Sequence, residues 1–164
     1  MKTNSQVVDS WVLGRVASGR NIFTDGYTIY SYGHHFPIAR KLANGKIMYN
    51  MSYYSSTTAH HQSDVRNAII RNGWWDKVIS CYSMDSVKNA SEIRDRVFNT
   101  IKNIPKCRKM QKHTDIIKKE IDMLKDFQQT IGEKCPKWSG DVLFLVSNLK
   151  DKTLRSWAKT FKLA

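Results

Sequence analysis

Asn21-Ile22-Phe23-Thr24-Asp25-Gly26-Tyr27-Thr28-Ile29-Tyr30-Ser31-Tyr32 is the stretch from which the fold can be read. Two β-prone runs flank an Asp-Gly pair. That pair is a strong short hairpin signal, because a type I′ turn needs positive φ at both of its central residues. Asn44-Gly45 repeats the signal between Phe36–Ala43 and Lys46–Met51, so the stretch extends into a four-stranded antiparallel meander. Gly33 punctuates it after the second strand. Pro37 has no N–H to give a ladder, which places it at a strand start or on an edge. Alternation in the fourth strand puts Ile47, Tyr49 and Met51 on one face.

A helix is expected next. Ser55-Ser56-Thr57-Thr58 offers several caps, Val65, Ala68 and Ile69 follow helical spacing, and Gly73 is a natural stop. Val78-Ile79-Ser80-Cys81-Tyr82 then reads as a return to the sheet. Beyond it the periodicity is helical. Ile93, Val97, Ile101 and Ile104 form one stripe, ended by Pro105. Ile117, Ile121, Leu124 and Ile131 form a second, ended by Gly132. A loop over Glu133–Gly140 precedes a short helix over Asp141–Leu149, and Asp151 caps a last helix carrying Leu154, Trp157, Ala158 and Phe161. The expected class is α+β: a β-meander with a helix over residues 1–85, then a helical portion over 86–164, packed as one compact body.

The charge is uneven in sign and even in distribution. Lys and Arg number 27 against 14 Asp and Glu, a formal net of +13. Residues 1–75 hold 8 basic and 3 acidic side chains, and residues 76–164 hold 19 and 11. A field of that sign attracts polyanions, of which nucleic acid is the commonest in a cell. The hydrophobic fraction of 41% and the 5 Trp, 7 Tyr and 6 Phe belong to a folded chain rather than a disordered tail. Cys81, Cys107 and Cys135 are odd in number and contain no CxxC, which argues against a disulfide framework and leaves small core residues as their ordinary role. Met1 to Ser10 is polar and lacks the apolar stretch of a signal peptide. The longest apolar run, Val142–Val146, is far too short to span a bilayer. These features lead us to expect a cytoplasmic protein with no membrane partner.

The densest polar chemistry lies between Tyr27 and Arg71. Tyr30 and Tyr32 offer π-faces for bases, and Arg20, Arg40, Lys46, Arg66 and Arg71 would neutralise phosphates. The N–H groups at Thr57 and Thr58 would face an anion at a helix start. His34, His35, His60 and His61 complete the set, and a meander that returns beside its own second strand would bring the two histidine pairs together. Two imidazoles with a cationic partner such as Arg66 would suffice chemically for RNA cleavage. A metal is not expected, because His60 and Asp64 at i and i+4 lack the further ligands a site needs. No cofactor motif is present. A solvated arginine and a core tyrosine are the ordinary alternatives at each position.

Gly19–Gly26, then Tyr30-Ser31-Tyr32-Gly33-His34-His35-Phe36-Pro37-Ile38-Ala39, then Tyr54-Ser55-Ser56-Thr57-Thr58-Ala59-His60-His61-Gln62-Ser63-Asp64-Val65-Arg66 resemble a module of uncharacterised phage and mobile-element proteins. The resemblance covers about residues 11–72 and does not extend into 86–164. It implies phage or mobile-element origin and brings no reaction with it. Three functions are therefore carried forward. The first is a non-enzymatic accessory protein contacting nucleic acid or a nucleoprotein complex. The second is an inhibitor docking on a host defence protein, and the third is a small histidine-dependent nuclease.

Overall fold

The computed structural model describes residues 1–160 and divides the chain into two compact units, Met1–Met84 and a second beginning at Asp85. The class is α+β, with the strands in the first unit and the second wholly helical.

The first unit is built on a six-stranded sheet in sequence order: β1 (Val16–Ser18), β2 (Ile22–Asp25), β3 (Thr28–Ser31), β4 (Phe36–Lys41), β5 (Ile47–Asn50) and β6 (Val78–Cys81). All neighbours are antiparallel except β5 and β6, which the helix α2 (Ser56–Arg71) joins as a parallel crossover. Gly26 and Gly45 both take positive φ, 94° and 77°. The turns are not type I′, however, since Tyr32 is the one non-glycine residue with positive φ among the described residues. The β2–β3 loop is Gly26-Tyr27 with glycine first, the pattern of a II′ turn. Asp25 stays in its strand because its Oδ1 accepts the N–H groups of Tyr27 and Thr28 at 2.8 and 2.6 Å. At β4–β5, Gly45 N–H donates to Leu42 O and Leu42 N–H to Lys46 O, a three-residue loop ending in a left-handed glycine.

Two elements escape the pattern read above. The helix α1 (Asn4–Val12) lies where the sequence looked merely polar, and β1 follows it. Thr3 and Gln6 form a reciprocal capping box at the start of α1, and Val7, Val8 and Trp11 are buried on one side. α1, α2 and one sheet face share a core of Val7, Trp11, Ile22, Ile29, Ile47 and Val65, all at most 3% exposed. Pro37 occupies the second position of β4 and pairs with Tyr30, while Ala39 pairs with Ile29, so Ile38 is the extra residue of a bulge. Met51 lies beyond β5 and is exposed, leaving Ile47 and Tyr49 as the buried pair.

The second unit comprises α3 (Ser86–Asn103), α4 (Met110–Ile131), α5 (Lys137–Asn148) and α6 (Asp151–Thr160). The expected stripes face inward: Ile93, Val97, Ile101 and Ile104 are fully buried, as are Ile117, Ile121 and Leu124, whereas Ile131 is half-buried. α5 starts at Lys137, earlier than the expected Asp141, and takes in the end of the expected loop. Pro136 supplies a preset φ of −58°, and Ser139, buried, donates its hydroxyl to Pro136 O at 2.7 Å. Asp151 is the first helical residue rather than the cap, because Leu154 N–H bonds to Lys150 O. Phe161 lies outside the described residues. No helix among the described residues is long and apolar enough to cross a membrane.

Candidate nucleic-acid interface

Antiparallel order collects alternate connections at the same end of a sheet. Here that rule places Gly19–Asn21, Tyr32–His35 and Met51–Ser55 side by side, next to the start of α2. Contacts bear this out: Tyr32 N–H donates to Asn21 O at 2.8 Å, the Phe36 and Tyr54 rings lie 5.6 Å apart, and Tyr32 sits 6.4 Å from the His61 ring.

Strand alternation sorts the side chains of this end onto two faces. Ser31 points toward α2, where its hydroxyl meets His61 Nδ1 at 2.8 Å and Thr58 Oγ1 at 3.1 Å. Ser55 Oγ donates to Thr58 Oγ1 and accepts the Thr58 N–H as the cap of α2. Thr58, His61 and Ser31 are all buried, so this chain of hydroxyls is a lock between β3 and α2. Burial pushes the His61 pKa below the ordinary imidazole value, opposed by the nearby Asp64 carboxylate and reinforced by His60. The Ser31 hydroxyl and His61 Nδ1 share a hydrogen bond whose direction follows the ring's tautomer.

Tyr30 points to the opposite face. Its ring stacks on Phe23 at 4.7 Å with only 8° between planes. His34 stands edge-on to both, 4.7 Å from Phe23 and 5.0 Å from Tyr30. The chain reaches this position through Tyr32 at φ 54° and ψ 64° and Gly33 at φ 67°, two consecutive left-handed residues. For a tyrosine that conformation is uncommon, and it is held because β3 and the turn Gly33–His35 fix both sides of it. Beside it, Gly19, Arg20, Asn21, Phe23, Tyr32 and Gly33 line a hollow of about 420 Å³.

The candidate residues read from sequence thus separate into three groups. Arg20, Tyr30, Tyr32, His34, His35, Thr57 and His60 belong to this end of the sheet, and all but the half-buried Tyr30 and Thr57 are exposed. Thr58 and His61 belong to it in position but are sealed inside, so neither presents to an outside anion; this corrects the expectation for both. Arg40, Lys46, Arg66 and Arg71 lie elsewhere. Arg40 Nε donates to Thr28 Oγ1, Lys46 sits in the hairpin at the far end, Arg66 is beside the Tyr49 hydroxyl, and Arg71 pairs with Asp9 at 3.3 Å. The two histidine pairs are not in direct contact either. Among the described residues no hydrogen bond or ring contact joins His34 or His35 to His60 or His61, because His34 packs with Tyr30 on one face and His61 lies under the other. His61, 1% exposed, has no access to a phosphodiester.

Phe23 was missed as a site residue; its signal was its place opposite Tyr30 across the first hairpin. A second omission lies in the helical unit, where residues 102–119 hold seven Lys or Arg and a single Asp, a charge run visible in the sequence. Cysteine behaves as expected at one position only. Cys81 is buried, and desolvation pushes its thiol up to about 12, but Cys107 is half-buried and Cys135 exposed. No three His, Cys, Asp or Glu side chains among the described residues converge in a way that would hold a metal ion. Comparison with known proteins gives no match to a family model, a curated protein or a solved structure.

Proposed function

We propose that this protein binds nucleic acid, free or within a nucleoprotein complex, as a non-enzymatic accessory factor of the phage or mobile-element kind that the resemblance over residues 11–72 implies. The observation that carries the reading is the Tyr30–His34 end of the sheet. There a stacked Phe23–Tyr30 pair, an exposed imidazole and the 37%-exposed ring of Tyr32 stand beside Arg20 in a chain of net charge +13. Stacking platforms next to a cation suit unpaired bases, since every base offers a π-face and each stack contributes about 1–3 kcal/mol. Burial of His61 removes one of the two imidazoles a nuclease would use, which favours binding over cleavage.

The test is fluorescence anisotropy with single- and double-stranded oligonucleotides over a salt series. Binding should favour single strands, and log K should fall linearly with log salt. Tyr32→Asn keeps a left-handed backbone that Asn tolerates and removes the ring. It should cost at least fivefold in affinity with little change in Tm. No binding of any oligonucleotide at low salt would sink the reading. A second reading, docking on another protein, is favoured by one feature: Tyr53 and Tyr54 are 75% and 60% exposed in adjacent positions. Tyrosine is enriched at protein interfaces. Variants of these two residues that leave oligonucleotide affinity unchanged would assign them to such a role.

A further inference from the structure

The helical unit contains a hollow of about 630 Å³ where α4 begins. Four cations line it, Arg108, Lys109, Lys112 and Lys119, with two carboxylates, Asp115 and Asp151. Among the described residues none of the four cations makes an ion pair or a side-chain hydrogen bond, although both carboxylates are at hand. Asp115 instead accepts from Gln111 Nε2 at 2.7 Å. Like charges gathered around one concavity repel each other and raise the free energy of the unliganded protein. The local backbone adds to that field rather than relieving it. The first turn of α4 carries no acidic residue, and Lys109 at its cap position makes no side-chain cap bond. Elsewhere in the same unit some cations find partners, as Arg96 does with Glu92 and Lys125 with Asp122. Four cations against two carboxylates leave this hollow with an excess of positive charge, and what balances it is an anion with several oxygens spaced to meet cations just before and along α4.

We propose that this hollow is a phosphate-binding site that takes successive backbone phosphates of a nucleic-acid strand. The inference rests on the nucleic-acid reading above and adds to it a separate, sequence-independent contact in the helical unit. A strand fits better than a single small anion because the cations are spread over residues 108–119, two to three helical turns, and a phosphate repeat of several ångströms would meet them in turn. Exposed Ile116 and the lysine stems give the hollow apolar walls against which sugars would rest.

The experiment uses the full chain and two charge-matched triple variants. One is Arg108→Gln with Lys112→Gln and Lys119→Gln; the other removes three cations of the same unit outside the hollow, Lys88→Gln with Lys134→Gln and Lys137→Gln. Matching thermal midpoints establish that both fold. The probe is a single-stranded 20-nucleotide oligomer titrated at several salt concentrations. The hollow variant should bind at least tenfold more weakly at about 0.1 M salt. Its log K against log salt slope should shrink by about 2, as expected for three lost single-strand phosphate contacts at about 0.7 each. The control triple should lose threefold or less. Equal losses in both variants would overturn the site while leaving the nucleic-acid reading standing, since the charge would then act as a diffuse field. A parent chain that binds no oligomer would overturn that reading and the site with it. Binding of the parent to phosphatidylserine vesicles but to no oligomer, lost in the hollow variant alone, would overturn the proposal in favour of a membrane-surface site.

Discussion

Gly26 is fixed by two constraints, and Gly45 by one. Both hold positive φ, a region that side chains resist. At Gly45 an added Cβ would meet nothing within 4 Å, whereas at Gly26 it would come within 2.7 Å of the Gly14 carbonyl oxygen, a backbone atom that cannot swing aside. Gly45→Ala should therefore cost about 1 kcal/mol for backbone conformation alone. Gly26→Ala should cost about 3 kcal/mol or more, because the contact between the β2–β3 turn and the α1–β1 connection must open as well. Urea midpoints of the two variants measure the difference, and equal costs would show that the close approach is not tight. His61 makes a second residue-scale prediction. Its folded pKa lies below the unfolded value near 6.5, so the folded protein binds fewer protons than the unfolded chain in that range. The stabilisation from the neutral ring is present above pH 6.5 and is lost as pH falls from there through the folded value. His61→Gln should flatten the slope of stability between pH 7 and pH 5, measured by urea unfolding across that range.

At the scale of elements, α1 ends without a cation of its own in its last turn. Lys41 of β4 supplies one. Its Nζ donates to Trp11 O at 2.5 Å and Val12 O at 3.0 Å, and it lies 5.1 and 5.3 Å from the Trp11 and Trp74 ring centres. A helix C-terminus leaves carbonyls unsatisfied, and an ammonium there is favoured by charge, by hydrogen bonding and by the ring quadrupoles together. Burial holds the Lys41 pKa below its ordinary value. Lys41→Met keeps the length and apolar stem but loses the donors. It should destabilise the protein by about 2 kcal/mol, the range for hydrogen bonds from a charged group. Trp fluorescence should shift with it, since both indoles lose the cation. A change below about 0.5 kcal/mol would mean that water replaces the ammonium at no cost.

For the whole molecule, charge and shape make separate statements. The excess of cations is divided between the two units rather than held in a tail. In the first unit 9 basic residues face 4 acidic ones, a difference of +5, and the remaining 18 and 10 leave +8 for the second. Retention on heparin should accordingly be strong, and chains cut at Met84 should each retain part of it. Loss of retention from one half would place the polyanion contact wholly in the other. What the charge does not provide is direction: a uniform field draws a polyanion to the surface, and only concavities and exposed rings decide where it rests.

The sequence alone determined the local events. Asp25-Gly26 and Asn44-Gly45 mark turns, Pro105 and Gly132 end helices, and Ile93, Val97 and Ile101 declare a buried stripe, because each depends on backbone geometry or on spacing within one element. Even so, the turn types were not legible. Asp25 remained in its strand through side-chain bonds to two N–H groups, which the dipeptide does not reveal. α1 was legible in principle from Thr3 and Gln6, yet its short apolar side makes sense only against a sheet that must be covered. The candidate site depended on tertiary structure throughout. His61 and His34 look equivalent in sequence, but period-two alternation sends their partners Ser31 and Tyr30 to opposite faces of one strand. One imidazole is thereby closed into a hydroxyl chain and the other left facing outward. Burial is a property of what packs over a residue, and that is decided by strands and helices distant in the chain.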